Sequence, residues 1–259
     1  MRPSQGSDLF RLDDQVALVT GGARGLGQAM ATALAQAGAD VCVIDLLPAE
    51  ETLVLIAGHG RRGHALVADL GALDPARADA LVQQASDALG PPTILVNNAG
   101  IIRRAPALTH SWEDWQQTIA LDLSAPFLLS QALGRQLVER ASPGKIVNVA
   151  SMLSYQGGYL VPGYTAAKSG IAGLTRALAN EWARYGINVN AIAPGYMATE
   201  LTAMLRSDPS RAETMLARIP AGRWGDPDDL AGAVTFLCSR AADYVHGTVL
   251  PVDGGWLAW

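Results

Sequence analysis

Two rhythms alternate along this chain of 259 residues. Short runs that are apolar at nearly every position, such as QVALVT (residues 15–20) and KIVNVA (residues 145–150), lack the alternation of a strand with one wet face. Runs of this kind are expected of parallel strands buried on both sides. ADVCVID ending at Asp45, RGHALVADL ending at Asp69, TILVNNAG, INVNAIAPG and GTVLPVDGG belong to the same class. Between them, small and apolar residues recur every three or four positions, the mark of a helix with one buried face. One such helix runs from Gly25 to about Ala37 and is closed by Gly38; Pro48 opens the next, and DPARADALVQQASDALG carries a proline at its start. Ser111 caps a long helix that begins WEDWQQ and extends to about Glu139, another is helical from Tyr164, and DPDDLAGAVTFLCSR is the last.

Strands that alternate with helices form right-handed βαβ units and a parallel sheet. The expected fold class is therefore α/β: a single-domain, doubly wound (Rossmann-type) seven-stranded parallel sheet with helices on both faces. No linker, charge run or repeat divides residues 1–259. Residues 196–224 hold only short helical pieces, so a stretch at about 195–224 is the expected substrate lid, since long loops at this sheet edge are usually functional.

Composition narrows the choice of partners. With 49% hydrophobic and 17% charged residues, the chain can fill one large core. Its net charge of −5 offers no basic footprint for nucleic acid. No apolar run approaches the roughly 18 residues of a membrane span, and the polar start MRPSQGSDLFRLDD has no apolar signal region, so a soluble cytoplasmic protein is expected. Cys42 and Cys238 sit in apolar surroundings and read as core thiols, and the four histidines show no metal-ligand spacing.

The chemistry concentrates at residues 151–168, SMLSYQGGYLVPGYTAAK, just beyond a buried strand, where ligands sit in open α/β sheets. Tyr164 and Lys168 are four apart and share a helix face, and Ser151 at the strand end can face them. A hydroxyl, a phenol and an ammonium there form a proton-transfer constellation. A nucleotide site is expected at the first strand–turn–helix, TGGARGLG. There Gly21, Gly25 and Gly27 let the backbone approach a pyrophosphate, while Arg24 and Leu26 lie within the turn. Asp45 ends the second strand, 18 residues beyond Gly27, where a carboxylate binds ribose hydroxyls and favours NAD over NADP. Arg24 is the nearby cation that could instead meet a 2′-phosphate. Asp69, followed by Leu70, could reach the adenine.

In these residues the chain resembles the short-chain dehydrogenases/reductases, from Thr20 to Asp253-Gly254-Gly255. TGGARGLG is similar to that family's TGxxxGxG, and NNAG (residues 97–100), with Asn97, to its sheet-stabilising motif. Ser151 followed after 13 residues by Tyr164-x-x-x-Lys168 is similar to its active site. Pro194-Gly195, Met197 and Thr199 are similar to its nicotinamide-side loop. Within the family, IRR at 102–104, ASMLSYQGG, NVNAIAPGYMAT, IPAGRWG and VDGGWLA resemble the dehydrogenases of deoxy sugar acids. The resemblance implies hydride transfer between NAD(H), with NADP the less favoured carrier, and a keto or hydroxy group of a sugar acid, in a homotetramer. Another reductase of the same scaffold or a nucleotide-binding module without turnover are the competing readings.

By that resemblance Tyr164 is the general acid or base and Ser151 holds the carbonyl oxygen. A free phenol titrates near about 10, and Lys168 one turn away is expected to lower it. The family usually has Asn where this chain has Asp122. Pro126, four residues on, lacks an N–H and crowds the carbonyl of Asp122, which predicts a kink there and a carbonyl free to serve a proton relay. A substrate carboxylate could meet Arg103 or Arg104. Gln156, Tyr159 and Tyr196 could meet hydroxyls, and Met152 and Met197 could form apolar walls. Trp256 and Trp259 are large for an exposed tail and suggest packing at a subunit interface or over a pocket.

Overall fold

The structure, a computed structural model, describes residues 6–258. The strands are β1 (Val16–Thr20), β2 (Asp40–Asp45), β3 (Gly63–Val67), β4 (Ile94–Asn97), β5 (Gly144–Val149), β6 (Ile187–Pro194) and β7 (Val249–Val252). They form one seven-stranded parallel sheet in the order β3-β2-β1-β4-β5-β6-β7. The order reverses between β1 and β4, which pair through Ala17–Ile94 and Val19–Val96, so a crevice opens above their C-terminal ends.

The helices are α1 (Gly25–Ala37), α2 (Glu50–Gly58), α3 (Pro75–Leu89), α4 (Trp112–Ile119), α5 (Ala125–Glu139), α6 (Pro162–Trp182), α7 (Ala203–Arg206), α8 (Pro209–Leu216) and α9 (Ala231–Cys238). Successive strand residues point to opposite faces, which divides the core in two. Val19 and Val43 pack with Met30, Leu34, Ile56, Val234 and Leu237 from α1, α2 and α9. Leu18 and Ile44 pack with Leu81, Leu129, Leu133 and Leu178 from α3, α5 and α6. Burial of each such side chain stabilises by about 1.5–3 kcal/mol, which explains why the strands read as unbroken apolar runs. Cys42 and Cys238 are free and buried, and burial pushes both thiols up to about 12. No helix among the described residues is long and apolar enough to cross a membrane.

The caps fall where the polar residues place them. Gly38 takes a left-handed φ of 116° and closes α1, Asp74 accepts from the Arg77 N–H, and Ser111 accepts from the Asp114 N–H. Three boundaries differ from expectation. β3 ends at Val67 because Asp69 turns to cap a short 3-10 turn, Leu70–Ala72, accepting from Gly71 N–H. Pro48 stands outside α2, which begins at Glu50, whereas Pro162 is the first residue of α6.

The helix expected from Ser111 to Glu139 is interrupted by a π-helical turn, Ala120–Ser124, in which the Ala125 N–H reaches back five residues to the Ala120 carbonyl. Pro126 has no N–H to give Asp122, so the regular bond is lost and one extra residue is accommodated. The turn carries Asp122 to the crevice.

Candidate active site

The glycine turn is held by the Thr20 side chain at the end of β1 and the Asn98 side chain just past β4. The Thr20 hydroxyl accepts from the amides of Asn98 (2.9 Å) and Ala99 (3.0 Å), and the Asn98 side chain donates to the carbonyls of Thr20 and Gly21, both at 3.0 Å. A Cβ on Gly27 would lie 2.0 Å from the Gly21 carbonyl oxygen, so only glycine lets α1 start this close to the turn. Gly25 has open space within 4 Å of where its Cβ would stand. The N-terminus of α1 thus presents bare amides to a cleft of about 640 Å³.

Gly21, Arg24, Gly25, Leu26, Gly27, Asp45, Asp69, Leu70, Tyr164, Lys168 and Thr199 all line this cleft. Asp45 accepts from the amides of Ala23 (2.9 Å) and Leu47 (3.0 Å), which ties the end of β2 to the glycine turn. Arg24 pairs with Glu200, which reaches over from the opposite wall. The Asn97 side chain does not face the cleft. It is buried between β4 and α5, donating to Asn148 Oδ1 at 2.8 Å and Ser130 Oγ at 3.1 Å. Asn148 continues to Thr175 at 3.0 Å, so these polar residues stitch two strands to α5 and α6 inside the core. Pro194 and Gly195 lie at the end of β6, where a Cβ on Gly195 would meet Asp253 at 2.6 Å. Met197 is buried in the core, with its sulfur where a Cβ on Gly225 would have to go. Met152 is also buried, below the C-terminal segment; neither methionine lines this cleft, but Met197 lines a second cavity beside Tyr196, Gly225 and Asp253.

On the other wall, Ser151 accepts from the Leu153 N–H at 3.1 Å, and the Ser154 hydroxyl donates to the Lys168 carbonyl at 2.6 Å. The turn after β5 is thereby fastened to α6. Lys168 is buried and donates to the Val149 carbonyl at 2.8 Å, and its Nζ stands 5.5 Å from the Tyr164 ring centroid. Asp122, fully buried, accepts from the Ile101 N–H at 2.8 Å and places its second oxygen 3.6 Å from Lys168 Nζ. Ser151, Tyr164, Lys168 and Asp122 are thus brought together at one end of the cleft.

The charge balance differs from expectation. Tyr164 has its phenol pushed above its ordinary value, first by burial at the foot of the cleft and then by the Asp122 carboxylate; a hydrogen bond from Ser151 and the charge of Arg104 oppose this. The side chain keeps some surface in the cleft, so access survives while solvation is poor. The charges that act on the phenol are those of Asp122 and Arg104, with Asp122 the stronger.

The two neighbouring arginines part company. Arg103 turns to α4, meeting Asp114 at 3.3 Å and Gln117 at 3.3 Å. Arg104 makes no ion pair among the described residues and acts electrostatically on both Tyr164 and Tyr196. Gln156 accepts from the Trp256 indole N–H at 3.3 Å, while Tyr159 is 87% exposed and outside the site. Trp256 is only 3% exposed. It packs within its own chain, edge-on to Tyr196 at 4.8 Å and under the Arg218 guanidinium at 4.0 Å. Trp259 lies outside the described residues. Asn98, Glu200 and Arg218 were not singled out from sequence. Asn98 sits beside a residue that was, and strand parity is the signal that separates them.

A family model described as enoyl-(acyl carrier protein) reductase matches residues 21–257. A 2-dehydro-3-deoxy-D-gluconate 5-dehydrogenase of Escherichia coli K12 is 51% identical over 249 residues, covering 96% of this chain and 98% of that one. A solved structure from Agrobacterium tumefaciens, assigned as a 2-deoxy-D-gluconate 3-dehydrogenase with bound NADP, is 52% identical. It superposes with a TM-score of 0.92 over 97% of this chain and 99% of its own. Another from Beutenbergia cavernae, assigned as an NAD(P)-dependent gluconate 5-dehydrogenase with NADP at low occupancy, is 45% identical. Its TM-score is 0.91 over 97% of this chain and 100% of its own. With its sheet order, glycine turn and Ser–Tyr–Lys cluster, the chain belongs to the short-chain dehydrogenase/reductase family of oxidoreductases.

Proposed function

We propose that the protein is an NAD-dependent dehydrogenase of a deoxy sugar acid, interconverting the 5-keto and 5-hydroxy forms of 2-dehydro-3-deoxy-D-gluconate. The observation that carries the sugar-acid part is Arg104. It is the member of the Arg103–Arg104 pair without an ion pair among the described residues, and it acts on both Tyr164 and Tyr196. A carboxylate held there by a charge-assisted, two-pronged contact orients the rest of the acid toward Tyr164. The substrates named for the E. coli and B. cavernae relatives are both sugar acids, which supports the class.

The residues fit a dinucleotide. Bare amides at the start of α1 and the glycine-only approach at Gly27 make a pyrophosphate cradle, and Asp45 stands where a ribose lies in this fold. A nicotinamide cofactor held there supplies or accepts the hydride. Ser151 holds the substrate oxygen, Tyr164 gives its proton to that oxygen on reduction or takes it back on oxidation, and Lys168 keeps the phenol in place. Asp45 favours NAD, and the Glu200 carboxylate opposes 2′-phosphate binding by occupying Arg24. NADP in the Agrobacterium relative makes this the point to measure. Residues 196–224 serve as the lid of the one domain. We further propose a cytoplasmic homotetramer, supported by exposed Trp112 and Phe127 on α4 and α5.

The test is oxidation of NADH and NADPH with a panel of 2,5-diketo-3-deoxy acids, 5-keto-gluconate, hexulose uronates and a 3-oxoacyl thioester. Preference for the first with NADH is expected. Preference for the thioester overturns the reading, and tight NADH binding without turnover on any of them favours a binding module.

A further inference from the structure

Asp122 is a carboxylate where the chemistry asks for none. Its side chain has no exposed surface, one oxygen accepts the Ile101 N–H, and the other makes no hydrogen bond among the described residues. That second oxygen faces Lys168 Nζ at 3.6 Å, a separation for charge attraction rather than a hydrogen bond. Space for it exists because residue 100 is glycine: a Cβ there would stand 2.8 Å from the same oxygen. The π-helical turn that Pro126 enforces brings Asp122 to this spot. Lys168, in turn, gives one of its three N–H donors to the Val149 carbonyl and lies over the Tyr164 ring.

We infer that Asp122 is a positioning residue that cancels the charge of Lys168 at Tyr164, so that the phenol stays protonated through neutral pH and serves first as a proton donor. The inference rests on the proposed role of Tyr164 in proton transfer. The charged and titratable groups acting here are Asp122 from the π turn, Tyr164 and Lys168 from α6, and Arg104 from the loop after β4; Ser151, from the turn after β5, is the polar one. Burial lifts the Asp122 carboxyl above its usual range, while Lys168 and the Ile101 amide hold it down. What matters is its state where a phenol titrates, and in that alkaline range the carboxyl has lost its proton. An ammonium alone would pull the phenol down; the Asp122 carboxylate beside it opposes that and favours the phenol that keeps its proton.

The equilibrium of the reaction is untouched. What changes is the pH at which each direction runs. Carbonyl reduction needs the phenol and persists into alkaline solution, whereas alcohol oxidation needs the phenolate and climbs throughout the neutral range. Asp122→Asn keeps the shape and the acceptor for Ile101 but removes the charge. It should move the Tyr164 titration, and with it the pH limb of oxidation, downward by about one unit or more. A residue that only packed would alter melting temperature and kcat without moving that limb.

The experiment is ultraviolet titration of the phenols in cofactor-free protein. The Tyr164 contribution is taken as the difference between the parent and Tyr164→Phe, and the same difference is taken in the Asp122→Asn background. The expected result is a Tyr164 that titrates above the free-phenol value of about 10 in the parent and lower in the Asn background. An unchanged titration in the Asn background overturns the inference. So does a parent Tyr164 titrating at or below the free-phenol value, a reading that stands even if Asp122→Asn does not fold. Because no substrate is used, absence of sugar-acid turnover would sink the proposed function without touching this result.

Discussion

On the cofactor wall of the cleft, backbone does most of the contacting: bare amides at the start of α1, a carbonyl 2.0 Å from where a Gly27 Cβ would sit, and Thr20 and Asn98 binding main chain on either side. On the substrate wall, side-chain ends do it. Arg104 acts electrostatically on Tyr196, the Trp256 indole donates to Gln156, and Arg218 lies over the Trp256 ring. A wall made of backbone tolerates only residues that let the chains approach. A wall made of side-chain ends can be re-lettered one residue at a time. The two walls should therefore respond differently to substitution.

The largest effect is expected at their meeting point. Tyr164→Phe should lower turnover by roughly a hundredfold or more, the range of a lost general acid, while NADH affinity measured by fluorescence titration stays near the parent value. Equal losses in binding and turnover would place Tyr164 in the wall rather than in the chemistry. Next comes Gly27→Ala, whose methyl would collide with the Gly21 carbonyl and with the Asn98 side-chain amide that holds the turn. Overpacking of this kind costs about 1–3 kcal/mol, so both the melting temperature and NADH affinity should fall together. A binding loss at unchanged melting temperature would show that the turn itself carries little stability.

Arg104→Ala should raise KM for the sugar acid by about tenfold, as for a lost charge-assisted contact, while Arg103→Ala, already engaged by α4, changes it little. Reversal of that order would exchange the two arginines. The smallest effect is expected at Glu200. The pair with Arg24 is largely solvent-exposed, so Glu200→Gln should raise the NADPH-to-NADH affinity ratio only by roughly two- to fivefold. No change would leave Asp45 as the sole discriminator.

The same contrast governs how much the sequence disclosed. The order of elements was legible because strands buried on both faces must be apolar at every position. The glycine turn was legible because Gly21 and Gly25 take left-handed φ values and Gly27 leaves no room for a Cβ. NNAG was legible as a motif, but not which asparagine does what: Asn97 and Asn98 point to opposite sides of β4, and only pairing fixes which one reaches the glycine turn. Pro126 foretold a bend, and the missing N–H became a π turn. What the bend did to Tyr164 was not legible, since it depends on a through-space approach of Asp122 to Lys168 across 46 residues of sequence. The substrate wall was the least legible. Arg103 and Arg104 are chemically identical, and their difference lies in the reach of α4; Trp256 reads as a tail residue until Tyr196, Met215 and Arg218 are seen to pack against it.

The central claim is that Tyr164 transfers the proton that accompanies hydride transfer to a deoxy sugar acid. It is tested most directly by following NADH oxidation with the 5-keto form of 2-dehydro-3-deoxy-D-gluconate, parent beside Tyr164→Phe, with the reduced carbon identified by transfer of deuterium from labelled NADH. The account predicts label at carbon 5 and turnover that collapses in the Phe variant. Label at another carbon, or a Phe variant as active as the parent, would contradict it.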